Sequence, residues 1–203
     1  MPSERLQFEQ WVPFPLDHVF AFFSNPLNLP RIMPTDSGTK IEPLNRVAPP
    51  DPRDAAADVA AGVGSTMVTS FRVFPVLPLR ARWIARITEF EWNHYFADVQ
   101  EKGPFKNWRH RHQFLAETRS GIAGTVVRDV IAYEVGLGFV GAMIDAVFLR
   151  RQMQNTFAQR QEVLLKLLPW TLIGLRPGQA LANPQKLGGL LAQDLVYTSR
   201  VLA

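Results

Sequence analysis

The residues best suited to chemistry in this sequence are four ionisable side chains: Asp98, His110, His112 and Asp129. His110 and His112 are two positions apart, which in a β-strand places both imidazoles on the same face. A carboxylate beside an imidazole can move protons to and from a bound molecule. One hypothesis is therefore an enzyme, a cyclase, aromatase or dehydratase, in which His110 or Asp98 is the general base.

The same four residues could also bind a metal ion. A His-x-His pair completed by a carboxylate from Asp98 or Asp129 offers ligands that zinc accepts. No third histidine follows on a neighbouring strand, however, and buried polar groups usually satisfy one another. We interpret the histidines as inward-facing and hydrogen-bonded to Asp98, Gln100, Asp129 or Tyr133, and we predict no metal.

A glycine-rich stretch, Gly136-Leu-Gly-Phe-Val-Gly141, has the spacing of a dinucleotide-binding motif. The strand predicted before it alternates in polarity, and no parallel strand returns after the helix that follows. The βαβ unit that binds a pyrophosphate is therefore missing. We assign these glycines to a tight turn and predict no cofactor.

The elements that must position the ionisable residues form an antiparallel sheet. Alternating hydrophobicity predicts strands over 5–12, 39–45, 64–74, 80–91, 94–101, 106–117 and 123–135. The links between the last five strands are short enough for hairpins, which indicates a meander. After the first strand, one helix is predicted over 15–23 and a shorter one over 26–30.

The inward face of this sheet combines large rings with polar groups. On the strand over 80–91, Trp83 takes one face and the arginines take the other. Rings and polar groups mixed on an inward face favour a lined cavity over a solid core. The ligand-binding residues that we predict are Phe71, Trp83, Asp98, Gln100, Phe105, Trp108, His110, His112, Asp129, Tyr133 and, from a long helix, Gln154.

That long helix is predicted over 139–168, where apolar residues recur at helical spacing, and Pro169 is predicted to end it. Arg160 on this helix is predicted to form an ion pair, either on the helix surface or at the rim of the sheet. Residues 1–168 are predicted to form one ligand-binding domain. Residues 169–203 are predicted to form a weakly structured tail that includes a short helix.

The order of these elements resembles the helix-grip fold of the START and birch-pollen-allergen-like superfamily, often called SRPBCC. Four segments resemble its bacterial polyketide cyclase/dehydrase-like, ligand-binding branch: Phe8–Leu29, Phe96–Phe114, Gly124–Tyr133 and Phe157–Arg160. The likeness covers about residues 4–168. It implies an α+β fold in which a curved antiparallel sheet of about six to seven strands wraps around a long C-terminal helix, with two short helices after the first strand. It also implies an internal cavity for lipids, sterols, polyketides or other apolar molecules.

Composition restricts the partners and the location. The chain of 203 residues has no cysteine, which excludes disulfides and thiolate metal sites. Its net charge of +4 comes mostly from scattered arginines, so we predict no nucleic-acid partner. The N-terminus lacks the pattern of a secretory signal, and the apolar stretch over 136–149 is too short to span a bilayer. We therefore predict a cytoplasmic protein.

The predicted function is binding of a small, mainly apolar molecule, such as a lipid, a polyketide or an isoprenoid-like compound, between the sheet and the C-terminal helix. The Pro- and Ala-rich loop over 46–62 is predicted to act as a lid. Besides the enzyme, one further alternative is a partner module associated with a membrane or a quinone pathway. That alternative depends on an apolar patch of Trp170, Leu172, Ile173 and Leu175, and it is the least favoured. The sequence does not specify the oligomeric state.

Overall fold

The computed structural model describes residues 4–50, 59–72, 80–136 and 149–172. The chain divides into two compact units, Met1–Val163 and Leu164–Ala203. The first unit contains the sheet, and the described part of the second, residues 164–172, is helical. Several predictions lie outside the described residues: the helix over 139–148, the centre of the proposed lid, and the tail with its apolar patch.

One antiparallel sheet contains all seven strands of the described residues. They are β1 (Glu4–Val12), β2 (Lys40–Asn45), β3 (Thr66–Arg72), β4 (Arg80–Glu91), β5 (Tyr95–Lys102), β6 (Asn107–Arg119) and β7 (Ile122–Glu134). Their order is β1-β7-β6-β5-β4-β3-β2. Strands β2 to β7 follow one another as neighbours, which confirms the predicted meander, and β1 pairs with β7 at the far edge.

Local irregularities bend and turn this sheet. The β4–β5 ladder shifts register twice along β4, and such bulges increase the bend and twist of a strand. Between β6 and β7, Ser120 and Gly121 both have positive φ, 50° and 79°, which is the requirement of a two-residue type I′ hairpin. The sheet is therefore strongly curved, with one concave face.

Two helices follow β1, as predicted. Helix α1 (Leu16–Ser24) begins after Pro15, and α2 (Leu29–Ile32) follows a short 3₁₀ turn over Pro26–Asn28. Phe20 of α1 is fully buried. Its ring meets those of Phe96 and Phe114 edge-on, with centroids 6.1 Å and 5.1 Å away. Ring contacts of this kind fix α1 against β5 and β6.

Helix α3 (Arg150–Leu172) is the long helix. Its Phe157 stacks on Phe8 of β1 at 4.1 Å between ring centroids. The side-chain amides of Gln10 and Gln161 each donate to the backbone of the opposite element, at 2.9 Å and 3.2 Å. The first half of α3 is thereby fixed along β1.

The prediction that Pro169 ends this helix is wrong, because the helix continues to Leu172. A proline removes one backbone N–H and crowds the preceding turn, but its φ is that of a helix. The predicted α+β helix-grip class, by contrast, is confirmed by the curved seven-stranded sheet and the C-terminal helix. Among the described helices, none combines the length and the apolar content that crossing a bilayer requires.

Candidate functional site

A pocket of about 400 Å³ opens on the concave face of the sheet. Strands β3 to β6, helices α1 and α2, and the first half of α3 all contribute residues to its surface. Its volume lies in the range of about 300–1,000 Å³ that is usual for small-molecule sites. Most of the side chains that line it are apolar.

Four rings from three strands and one turn form a contiguous aromatic wall: Phe71, Trp83, Phe105 and Trp108. The rings of Trp83 and Trp108 meet edge-on with centroids 4.8 Å apart. Phe105 lies 5.7 Å from Trp83 and 4.9 Å from Trp108. The sequence predicted all four as ligand-binding residues, and the structure places all four on the pocket surface.

Strand pairing brings the four ionisable residues together as a polar cluster. Asp98 of β5 is directly opposite His110 of β6, and His112 is directly opposite Asp129 of β7. Asp98, His110 and His112 line the pocket, and Asp129 lies behind the two imidazoles. Both histidines and Asp129 are buried, with 6–7% of their surface exposed.

Within this polar cluster, Asp129 is the common partner of both histidines. Its Oδ1 lies 2.9 Å from Nε2 of His110, in a hydrogen bond, and 2.6 Å from Nδ1 of His112. On the opposite edge of the His110 ring, Nδ1 is 3.9 Å from Oδ2 of Asp98, which is too long for a hydrogen bond. Asp129 therefore holds the imidazoles, while Asp98 faces the pocket without a direct bond to them.

Burial and neighbouring charge set the protonation of this cluster. Burial raises the pKa of Asp98 above its ordinary 3.8, against the opposing charges of His110 and Arg160. Burial also lowers the pKa of His110 below 6.5, and the nearby His112 lowers it further. Burial would raise the pKa of Asp129 as well, but His112 and the hydrogen-bonded His110 outweigh it and hold that pKa well below 3.8.

These directions determine the tautomer of His110. An ionised Asp129 can only accept hydrogen bonds, so the proton of a neutral His110 belongs on Nε2. The lone pair on Nδ1 then faces Asp98 and the pocket. Proton transfer requires a base and an acid. Here His110, oriented by the Asp129 carboxylate, can act as the base, and Asp98, whose pKa is raised, can act as the acid.

The residues within the described ranges that could hold a metal ion are Asp98, His110 and His112, whose ligand atoms lie within 4.8 Å of one another. Zinc with bonds of about 2.1 Å needs its donors closer together. A buried guanidinium, that of Arg160, also lines this pocket and opposes a second cation. The cluster therefore suits proton transfer and hydrogen bonding better than metal binding.

Four predicted ligand-binding residues do not contribute to the pocket surface. The first is Asp129, which lies behind the imidazoles. The second is Tyr133, which is fully buried in the core with Ile131 and Phe157. The amide of Gln100 bonds both backbone groups of Phe105, at 2.7 Å and 3.3 Å, and so fixes the β5–β6 turn.

The assignment of Gln154 needs a correction, because this side chain is exposed on α3. The α3 residues that line the pocket are instead Gln152, Met153, Thr156, Phe157 and Arg160. The prediction for Arg160 also needs a correction, since this side chain is only 9% exposed and forms no ion pair with a described residue. Its spacing of three from Phe157 was the signal that could have placed it inward.

Comparisons with known proteins agree with this geometry. Residues 12–161 match the family model described as polyketide cyclase / dehydrase and lipid transport. No curated protein matches the sequence significantly. Solved structures with similar folds include three with 11–16% sequence identity to this chain.

The first is the protein TTHA0849 from Thermus thermophilus, with a TM-score of 0.56 and 16% identity over 80% of this chain and 95% of that one. A START superfamily protein from Mycobacterium smegmatis has a TM-score of 0.56 and 14% identity, over 80% and 97% of the two chains. The major latex-like protein 151 of Panax ginseng has a TM-score of 0.55 and 11% identity, over 82% and 97%. At these identities the likeness shows the fold, whereas the family model covers most of the chain. The chain therefore belongs to the polyketide cyclase / dehydrase and lipid transport family of the START-like, SRPBCC superfamily.

Proposed function

We propose that the protein binds a small, mainly apolar molecule in the pocket between its sheet and α3. The observation that carries this proposal is a pocket of about 400 Å³ lined mostly by apolar side chains, with Asp98, His110 and His112 of the polar cluster on its surface. Apolar surface provides the affinity in such sites, and a few polar groups fix the orientation of the ligand. A lipid, a polyketide or an isoprenoid-like compound has the matching chemistry.

In this arrangement the aromatic wall contacts the apolar body of the ligand. Trp83 and Trp108 present ring surface to the pocket, and Asp98, His110 and His112 provide polar atoms for a hydroxyl or a carbonyl. A ligand group that leaves these buried polar atoms unpaired would bind more weakly, because unmet hydrogen bonds in a dry site are costly. The expected ligand is therefore apolar along most of its length and polar at one position.

Filling the pocket tests this proposal directly. Ala85 lines the pocket from β4, and Ala85→Phe should reduce affinity for the neutral fluorescent probe N-phenylnaphthylamine by about ten-fold or more, since the added ring occupies the ligand's volume. The matched control is Ala116→Phe, the same change at an exposed position of β6. Equal probe affinity in wild type and both variants would contradict the proposal. Native mass spectrometry of gently purified protein gives a second test, in which a bound molecule should appear as a discrete mass increment.

A second candidate function is acid–base catalysis in the same pocket. It is favoured by the arrangement of Asp129, His110 and Asp98, with a lone pair of the neutral imidazole on the pocket side. His110 would remove a proton from the bound molecule, and Asp98 would donate one to a leaving hydroxyl, which releases water. Compounds recovered from the pocket should then be converted to a product one water lighter. His110→Gln or Asp98→Asn should abolish conversion while binding persists, and unchanged conversion would remove these residues from the role.

A further inference from the structure

Arg160 is a buried cation that the proposed binding of an apolar molecule does not by itself explain. It lies on α3 one turn beyond Phe157, is only 9% exposed, and contributes to the pocket surface. Long charged side chains are almost never this buried unless they are paired. Its burial at the pocket surface therefore points to a partner of opposite charge.

Among the residues that the structure describes, no hydrogen bond or ion pair to the guanidinium is present. The guanidinium carbon lies 4.6 Å from the centroid of the Phe157 ring. A guanidinium carries five N–H donors and no acceptor. A cation–π contact lowers the cost of burying the charge, but it provides no hydrogen-bond acceptor for the five N–H groups.

The two nearby carboxylates do not take these donors. Oδ1 of Asp129 is shared by His110 and His112. Burial lowers the pKa of Arg160, and among the carboxylates that oppose this shift Asp129 has the larger effect. The ionised Asp129 helps to keep the guanidinium charged, and Arg160 contributes to the pocket surface where a ligand can reach it.

We propose that Arg160 holds the carboxylate of an apolar acid, so that the ligand of this pocket is an acidic molecule such as a fatty acid or an acidic polyketide. This inference rests on the proposed binding function and specifies its ligand class. A planar guanidinium matches a carboxylate with two parallel hydrogen bonds, which a neutral hydroxyl cannot accept in the same way. Asp98, whose burial favours its protonated form, would donate to the ligand carboxylate rather than repel it.

A matched pair of ligands tests the proposal. Dodecanoate and dodecanol have the same chain and differ in the head group, and both can displace the neutral probe N-phenylnaphthylamine. Wild-type protein should bind dodecanoate at least about ten-fold more tightly than dodecanol, because a charge-assisted pair is stronger than a neutral one. Arg160→Met should weaken dodecanoate by roughly ten- to hundred-fold and should leave dodecanol within about two-fold. The control is Arg151→Met, which removes an exposed arginine of the same helix and should change neither affinity.

The outcomes separate the two proposals. If wild type binds both ligands equally, or if Arg160→Met weakens both equally, the carboxylate assignment is wrong while the binding function stands. If neither ligand displaces the probe and the probe itself does not bind, the binding function fails. Should Arg160→Met not fold, the wild-type comparison still decides. Arg160→Lys then provides the second variant, since it keeps the charge but loses the paired geometry and should reduce the preference for dodecanoate.

Discussion

Asp129→Asn tests the reasoning about the polar cluster most directly. The substitution keeps the size of the side chain and removes its negative charge. In the folded protein the Asp129 carboxylate accepts from His110 at 2.9 Å and lies 2.6 Å from Nδ1 of His112, and it is 7% exposed. The two buried histidines would lose a charged partner, and their burial keeps water from replacing it, so the loss is costly.

The expected loss of stability follows from these contacts. A hydrogen bond to a charged group contributes about 1.5–3 kcal/mol, and removing one partner of a buried pair costs about 3–5 kcal/mol. The asparagine oxygen still accepts one imidazole N–H, so we expect a loss of about 2–4 kcal/mol at neutral pH. A domain of this size should then melt roughly 5–15 °C lower.

The effect should also depend on pH with a definite sign. The folded-state pKa of Asp129 is held well below the unfolded value of 3.8. The carboxylate therefore stabilises the fold fully above that value, and this contribution is lost as the pH falls through the folded pKa. The difference between wild type and Asp129→Asn should be largest at neutral pH and should shrink below pH 3.8.

Urea unfolding followed by tryptophan fluorescence measures both quantities, since the chain has 5 tryptophans. Asp36→Asn makes the same chemical change at an exposed residue and should stay within about 0.5 kcal/mol of wild type. An Asp129→Asn variant as stable as that control would show that the carboxylate does not hold the histidines.

Three further predictions follow from local contacts. Burial lowers the pKa of His110 below 6.5, so the folded state favours its neutral form. Wild-type stability, measured by urea unfolding, should therefore fall as the pH drops below 6.5, and His110→Gln should make this fall less steep. Gln100→Ala should cost about 1–3 kcal/mol in calorimetry by freeing the backbone of Phe105, yet leave probe affinity unchanged; a loss of affinity would return Gln100 to the binding site. Gly121→Ala should cost about 1–2 kcal/mol because φ is +79° there, whereas Gly136→Ala, at a glycine without positive φ, should cost less in the same denaturation assay.

Much of the fold could be predicted because local pattern and tertiary structure agree. The strand predicted over 80–91 matches β4 residue for residue, and the inward face of β6 follows from the spacing of Trp108, His110 and His112. Alternation determines which side chains share a face once a strand is known. It also brought the aromatic wall and the polar cluster into one predicted site.

The remaining site residues depend on distances that no local pattern contains. Gln154 and Arg160 lie on the same helix, and only the packing of Phe157 on Phe8 decides which of them faces the pocket. Similarly, the alternation that put Gln100 on the inward face could not show that its amide reaches the backbone of Phe105. Whether Asp129 contacts a ligand or supports the histidines likewise depends on how the imidazoles of β6 lie between it and the pocket.

Pairing of the first strand with the last has a consequence for biosynthesis. β1 bonds to β7 along its whole length, from Glu4 opposite Tyr133 to Val12 opposite Thr125. A ribosome releases β1 long before it has made its strand neighbour, so the nascent chain carries an unpaired strand edge during most of translation. Closure of the sheet is slow when partners are so distant in sequence, and an uncovered edge invites pairing with other chains. Newly made copies should therefore depend on chaperones until residue 134 has emerged.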